Sequence, residues 1–126
     1  MSEPVDRSRP RRVLVVDDEG HVRSMLCDLL AQWGCEADGV TNPVEGLRLL
    51  EGGGYDVLLT DFRMPDMTGV ELVERARERD AGLRVIMLTG SGADLDQVSR
   101  RLGFTLLHKP LDLGRLRTEL TAQALR

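Results

Sequence analysis

The chain has 126 residues, enough for one domain whose core needs no disulfide support. With 41% apolar and 30% charged residues it reads as soluble and globular, and a net charge of -4 argues against general nucleic-acid binding through a basic surface. No stretch approaches a membrane span, and the opening residues MSEPVDRSRPRR lack the apolar core of a signal peptide, so a cytoplasmic protein is expected.

Residues 1–11 read as a flexible, solvated tail and 12–126 as a single domain, with Met1 taken as the true start. Arg12 to Asp17 then forms a short β-branched and leucine strand that runs into the acidic triplet Asp17, Asp18, Glu19. From Val22 the apolar residues recur at Met25, Leu26, Leu29, Leu30 and Trp33, which is helical spacing, and Gly34 ends it. Cys35 to Val40 is a weaker strand. Asn42, Pro43 and Glu45 next supply a cap, a first-turn proline and an early acid for a second helix, closed by Gly52 to Gly54.

Val57, Leu58 and Leu59 form a run suited to a strand buried on both faces of a parallel sheet, with Asp61 just past its end. Thr68 and Glu71 match a capping box for a third helix that continues to about Asp80. Leu83 to Leu88 is a fourth strand and ends at Thr89. Gly92 to Leu102 makes a weak helix on Leu95, Val98 and Leu102, a stripe read as core. Phe104 to His108 is the last strand and Asp112 to Leu125 the last helix. Such alternation predicts an α/β sandwich with helices on both faces of a five-stranded parallel sheet.

The strand ends then place Asp17, Asp18, Asp61, Thr89 and Lys109 on one edge of the sheet, where open α/β folds bind ligands. Singly each has a bland reading: helix caps for the first two, a turn for Asp61, a strand-end hydroxyl for Thr89, a solvated amine for Lys109. Jointly they read as a site. Three carboxylates repel one another unless protons or a cation intervene, and an all-oxygen set favours Mg²⁺ over zinc. Lys109 is the only lysine among 17 basic residues. With Thr89 and a cation it could grip a phosphoryl group whose acceptor is Asp61. Cys27 and Cys35 show no metal or redox spacing and read as free packing thiols, and His21 and His108 as surface or packing residues.

VLVVDDE, DFRMPDMTG, Thr89 after an apolar strand and the Lys109-Pro110 pair, in this order, resemble the receiver domains of two-component response regulators of the chemotaxis-regulator kind. That resemblance covers about Arg12 to Leu125 and implies the flavodoxin-like (βα)5 fold with sheet order 2-1-3-4-5. It implies that Asp61 is the phosphoacceptor, that Asp17, Asp18, Asp61 and the Arg63 carbonyl hold Mg²⁺, and that Thr89 and Lys109 contact the phosphoryl oxygens. A cis bond before Pro110 is implied as well. The implied donor is a sensor histidine kinase or phosphotransfer protein, with an unspecified protein downstream and no direct nucleic-acid or membrane contact. The chain would be a monomer or a phosphorylation-dependent dimer, and a signalling phosphoacceptor, not an enzyme.

Two departures bear on signalling: Leu106 stands where such domains commonly carry Tyr or Phe, and the segment from Thr89 to Lys109 is slightly short. They keep open a scaffold that ignores phosphorylation and, with the LLHKP context, a receiver module of a hybrid histidine kinase. An aspartate-based phosphatase is disfavoured, because Asp61, Phe62, Arg63 lacks the expected second acid.

Overall fold

A computed structural model describes residues 11–90 and 94–124, with side chains through residue 120. Residues 1–10 of the predicted tail, the first residues assigned to the fourth helix and the end of the last helix lie outside the described residues. Strands and helices alternate as β1 (Arg12–Val16), α1 (Gly20–Gln32), β2 (Glu36–Val40), α2 (Pro43–Glu51), β3 (Val57–Asp61), α3 (Gly69–Arg79), β4 (Arg84–Thr89), α4 (Asp96–Leu102), β5 (Thr105–His108) and α5 (Leu113–Ala124).

All strands run parallel in the order β2-β1-β3-β4-β5, the flavodoxin-like arrangement the resemblance implies. Because side chains alternate across a strand, each apolar run fills two cores. Leu14, Val16, Leu58, Val85 and Met87 face Leu72, Val73 and Ala76 of α3, with α2 and α4 residues packed beside them. Val13, Val15, Val57, Leu59, Ile86 and Leu88 face Leu26 and Leu30 of α1 and Leu116 and Leu120 of α5. The result is three layers. No helix among the described residues is long and apolar enough to cross a membrane.

Local sequence sets the ends of these elements. Asn42 Oδ1 accepts the Glu45 N–H at 2.9 Å, and Thr68 and Glu71 form the predicted reciprocal capping box. Helix α1 opens two residues earlier than the apolar pattern indicates, because Glu19 caps it by accepting the His21 N–H at 3.1 Å. Asp17 and Asp18 are thereby released from the capping role. Helix α4 begins only at Asp96: Leu95 is buried in the core and offers no side-chain cap, while Asp94 Oδ1 accepts the Asp96 N–H. The described helix therefore starts four residues after the Gly92 that the sequence pattern indicates. Leu95, Val98 and Leu102 pack inward, again as read from the sequence.

Candidate functional site

Sheet order reverses between β1 and β3, and the register there aligns Val16 with Thr60, so Asp17 emerges beside Asp61. The next pairings continue the step: Asp61 aligns with Leu88, leaving Thr89 one residue beyond, and Thr89 aligns with His108, leaving Lys109 one beyond that. A main-chain bond from the Lys109 N–H to the Thr89 carbonyl, 2.8 Å, ties the last two together. Asp61 is the final residue of β3, one position inside the strand rather than past it as the sequence suggested. Pairing with β4 persists that far because the Phe62 N–H donates to the Leu88 carbonyl at 2.8 Å.

Carboxylate oxygens of Asp17, Asp18 and Asp61 lie within 4.8 Å of one another. Asp17 is 1% and Asp61 9% exposed, while Asp18 is open to solvent. Asp17 is held on several sides. Its N–H donates to the Val40 carbonyl at 3.2 Å, its Oδ1 accepts from the Glu19 N–H at 2.9 Å, and its carbonyl accepts from Arg23 Nη1 at 2.9 Å. Its Oδ2 is buried without a hydrogen-bond partner. Burial pushes the Asp17 carboxyl above its ordinary range; the Glu19 N–H opposes this, nearby Asp61 adds to the rise, Lys109 counters it and Asp18 adds a further push. A buried orphan oxygen in an all-oxygen, like-charged set is what a hard cation would relieve, so these three residues could hold a metal ion.

Lys109 Nζ stands 3.3 Å from Asp61 Oδ1, and the bond from Lys109 to Pro110 is cis, as the resemblance implies. Thr89 is buried at the end of β4 and Arg63 is exposed in the turn after Asp61. That turn is pinned by bonds from Gly69 N–H to the Phe62 carbonyl and from Met67 N–H to the Pro65 carbonyl, both 2.8 Å, with Asp66 at a positive φ of 74°. His21 and His108 are exposed. Cys27 and Cys35 are free, half-buried beside the second core, and burial raises both thiols. Leu106 is half-buried against the first core.

Sequence reading missed three residues here. Thr60 Oγ1 donates to the Asp61 carbonyl at 3.0 Å. Gly69 lies so close to β3 that a Cβ there would stand 2.5 Å from the Asp61 carbonyl oxygen. A glycine opening a capped helix is the signal that could have found it, since glycine is a poor helix former. Arg23, between Val22 and Ser24, belongs to no motif that the sequence offers.

A parallel α/β sheet that gathers three carboxylates, a hydroxyl and an ammonium at its carboxyl edge defines a class of proteins with an acidic edge site. Within it, this chain belongs to the response regulator receiver domain family, whose family model matches residues 13–121. It is 39% identical over 119 residues to response regulator protein PilR of Pseudomonas aeruginosa, covering 92% of this chain but 26% of that one. Sporulation initiation phosphotransferase F of Bacillus subtilis is 31% identical over 108 residues, covering 84% of this chain and 87% of the relative. Among solved structures, response regulator TrrA of Thermotoga maritima in complex with Mg(2+)-BeF superposes with a TM-score of 0.82 at 27% identity, over 90% of this chain and 98% of that one.

Proposed function

We propose that this chain is a phosphorylation-dependent signalling switch whose Asp61 accepts a phosphoryl group from a phosphohistidine of a sensor histidine kinase or phosphotransfer protein. One observation carries the reading: the only lysine of the chain reaches to 3.3 Å from Asp61 Oδ1 inside a cluster of three carboxylates. Asp17, Asp18, Asp61 and the Arg63 carbonyl would hold Mg²⁺, and the Mg(2+)-BeF complex of TrrA supports that choice. When bound, Mg²⁺ offsets the charge that carboxylates and phosphoryl oxygens bring together.

An Asp61 carboxylate oxygen attacks phosphorus, the phosphorus–nitrogen bond of the donor breaks, and the leaving imidazole nitrogen takes a proton from solvent. The product is an acyl phosphate. Lys109 then pairs with a phosphoryl oxygen in place of Asp61 Oδ1, and the Thr89 hydroxyl donates to another. Surface contacts change as these two side chains move inward. Residues 1–11 act as a tail to a receiver domain spanning 12–126, located in the cytoplasm. The domain catalyses only its own phosphorylation and dephosphorylation, as a monomer or a phosphorylation-dependent dimer.

Incubation with a small phosphodonor and Mg²⁺ is expected to add one phosphoryl group by intact mass, and Asp61→Asn to abolish the addition. An unchanged mass from folded wild-type protein would overturn the reading. A second reading, a scaffold indifferent to phosphorylation, is favoured by Leu106 packing against the core where a mobile ring is usual in the family. Equal partner affinity with and without a phosphoryl analogue would select it.

A further inference from the structure

Asp17 meets the rest of the protein through a residue that lies on another element. Arg23, one turn into α1, donates from Nη1 to the Asp17 main-chain carbonyl at 2.9 Å. Its side chain reaches that carbonyl across β2, at Gly39, which pairs with Val15 of β1. A Cβ on residue 39 would stand 3.0 Å from Arg23 Cγ, 3.2 Å from Arg23 Cδ and 3.1 Å from Cys27 Sγ. Glycine weakens a strand interior, and a frequent reason to tolerate it is the close approach of another group. Here that group is the arginine stem.

We infer that Arg23 is a positioning residue for the acidic cluster, that Gly39 gives its stem the space it needs, and that together they fix Asp17 for a divalent cation. The inference rests on the proposed Mg²⁺ site. Main-chain bonds at both the N–H and the carbonyl fix the backbone from which the Asp17 side chain projects, and the Glu19 N–H holds its Oδ1, so Oδ2 stays buried beside Asp61 without a protein partner. An arginine suits the task because its charge is permanent and its donors are held in a rigid fork. Outer partners of metal ligands act in this way: they hold the ligand at its working angle without touching the ion.

The test is calorimetric titration of the full chain with MgCl₂, as wild type, Arg23→Met, Arg23→Lys, Gly39→Ala and the double variant Arg23→Met with Gly39→Ala. Urea unfolding without metal runs alongside. Methionine keeps the stem and removes the donors, so Mg²⁺ affinity should fall roughly 10- to 100-fold, the usual effect of losing an outer partner. Lysine should restore part of the loss. Gly39→Ala should weaken binding in the same range, and the double variant should bind no more weakly than Arg23→Met, because both changes act on one contact. Mg²⁺ affinity unchanged in Arg23→Met overturns the inference, whether or not metal-free stability falls, and so does a double variant whose losses add. Should Arg23→Met fail to fold, wild-type affinity in Gly39→Ala is the overturning result. Wild-type protein that binds no Mg²⁺ brings down the cation site and this inference together; binding by wild type with no response in the variants removes this inference alone.

Discussion

The two ends of the sheet treat charge in opposite ways. At the amino edge, Arg77 donates to the carbonyls of Ala81, Leu83, Leu102 and Gly103, joining the end of α3 to the start of β4 and to the end of α4. Arg12 there faces Asp38 at 3.6 Å and Glu36 at 3.9 Å, donates to the Gly54 carbonyl at 3.3 Å, and lies over the Tyr55 ring at 4.5 Å. Every one of these donors is committed to the fold. At the carboxyl edge, three carboxylates face one ammonium, and Asp17 Oδ2 is the sole buried side-chain oxygen or nitrogen among the described residues without a partner. Polarity spent at one end stabilises; polarity withheld at the other is available for a ligand.

Substitutions at the two ends should therefore separate stability from ion binding. Arg77→Met leaves several main-chain carbonyls unpaired and is expected to cost about 3 kcal/mol in urea unfolding, with Mg²⁺ affinity unchanged. A loss of affinity as well would break the separation. Gly69→Ala forces a Cβ to 2.5 Å from the Asp61 carbonyl oxygen and 3.1 Å from Met87 Cε. Main chain cannot yield as a side chain end does, so about 2 kcal/mol of stability should go, together with much of the phosphorylation rate at saturating Mg²⁺. This variant damages both functions because α3 is pressed directly on the site.

Asp17→Asn inverts the Arg77 result. It keeps an oxygen to accept from Glu19 and removes one of three crowded charges, so metal-free stability should rise by about 1 kcal/mol while Mg²⁺ binding is lost. A fall in stability would show that the cluster is not under electrostatic stress. The smallest effect lies at the amino edge. Tyr55 is the chain's only tyrosine, and burial followed by its 2.6 Å hydrogen bond to Asp38 pushes its phenol up to about 12. A folded pKa above the unfolded value means this contribution to stability is full below pH 10 and lost as pH rises through about 12. Ultraviolet titration reads it directly, and Asp38→Asn should lower the midpoint.

The strands were legible because each is a short apolar run that stops at a polar residue, and the helices because caps such as Asn42 and Thr68 announce them. Strand order was not read from periodicity; it came with the resemblance. Carboxylates, hydroxyl and ammonium stood out because strand ends in a parallel sheet converge. Their supports did not. Arg23 lies between Val22 and Ser24 in no recognisable motif, and its target is a main-chain carbonyl, which carries no side-chain signature. Gly39 looks like a defect in a weak strand, and Gly69 acts through a distance to β3 that only the closed fold creates. Glu19, read with the acidic pair, turned out to be the helix cap, since capping depends on where the first turn begins.

Lys109 is the one lysine in the sequence, and its ammonium sits against Asp61. Amine-directed reagents used to label or immobilise the protein would thus strike its working edge whenever they reach an ε-amino group. Coupling through Cys27 or Cys35 meets half-buried thiols whose burial disfavours the reactive thiolate. Attachment chemistry for this chain is best directed at an introduced cysteine far from the carboxyl edge, and loss of amine reactivity on phosphorylation would serve as a label-based gauge of occupancy.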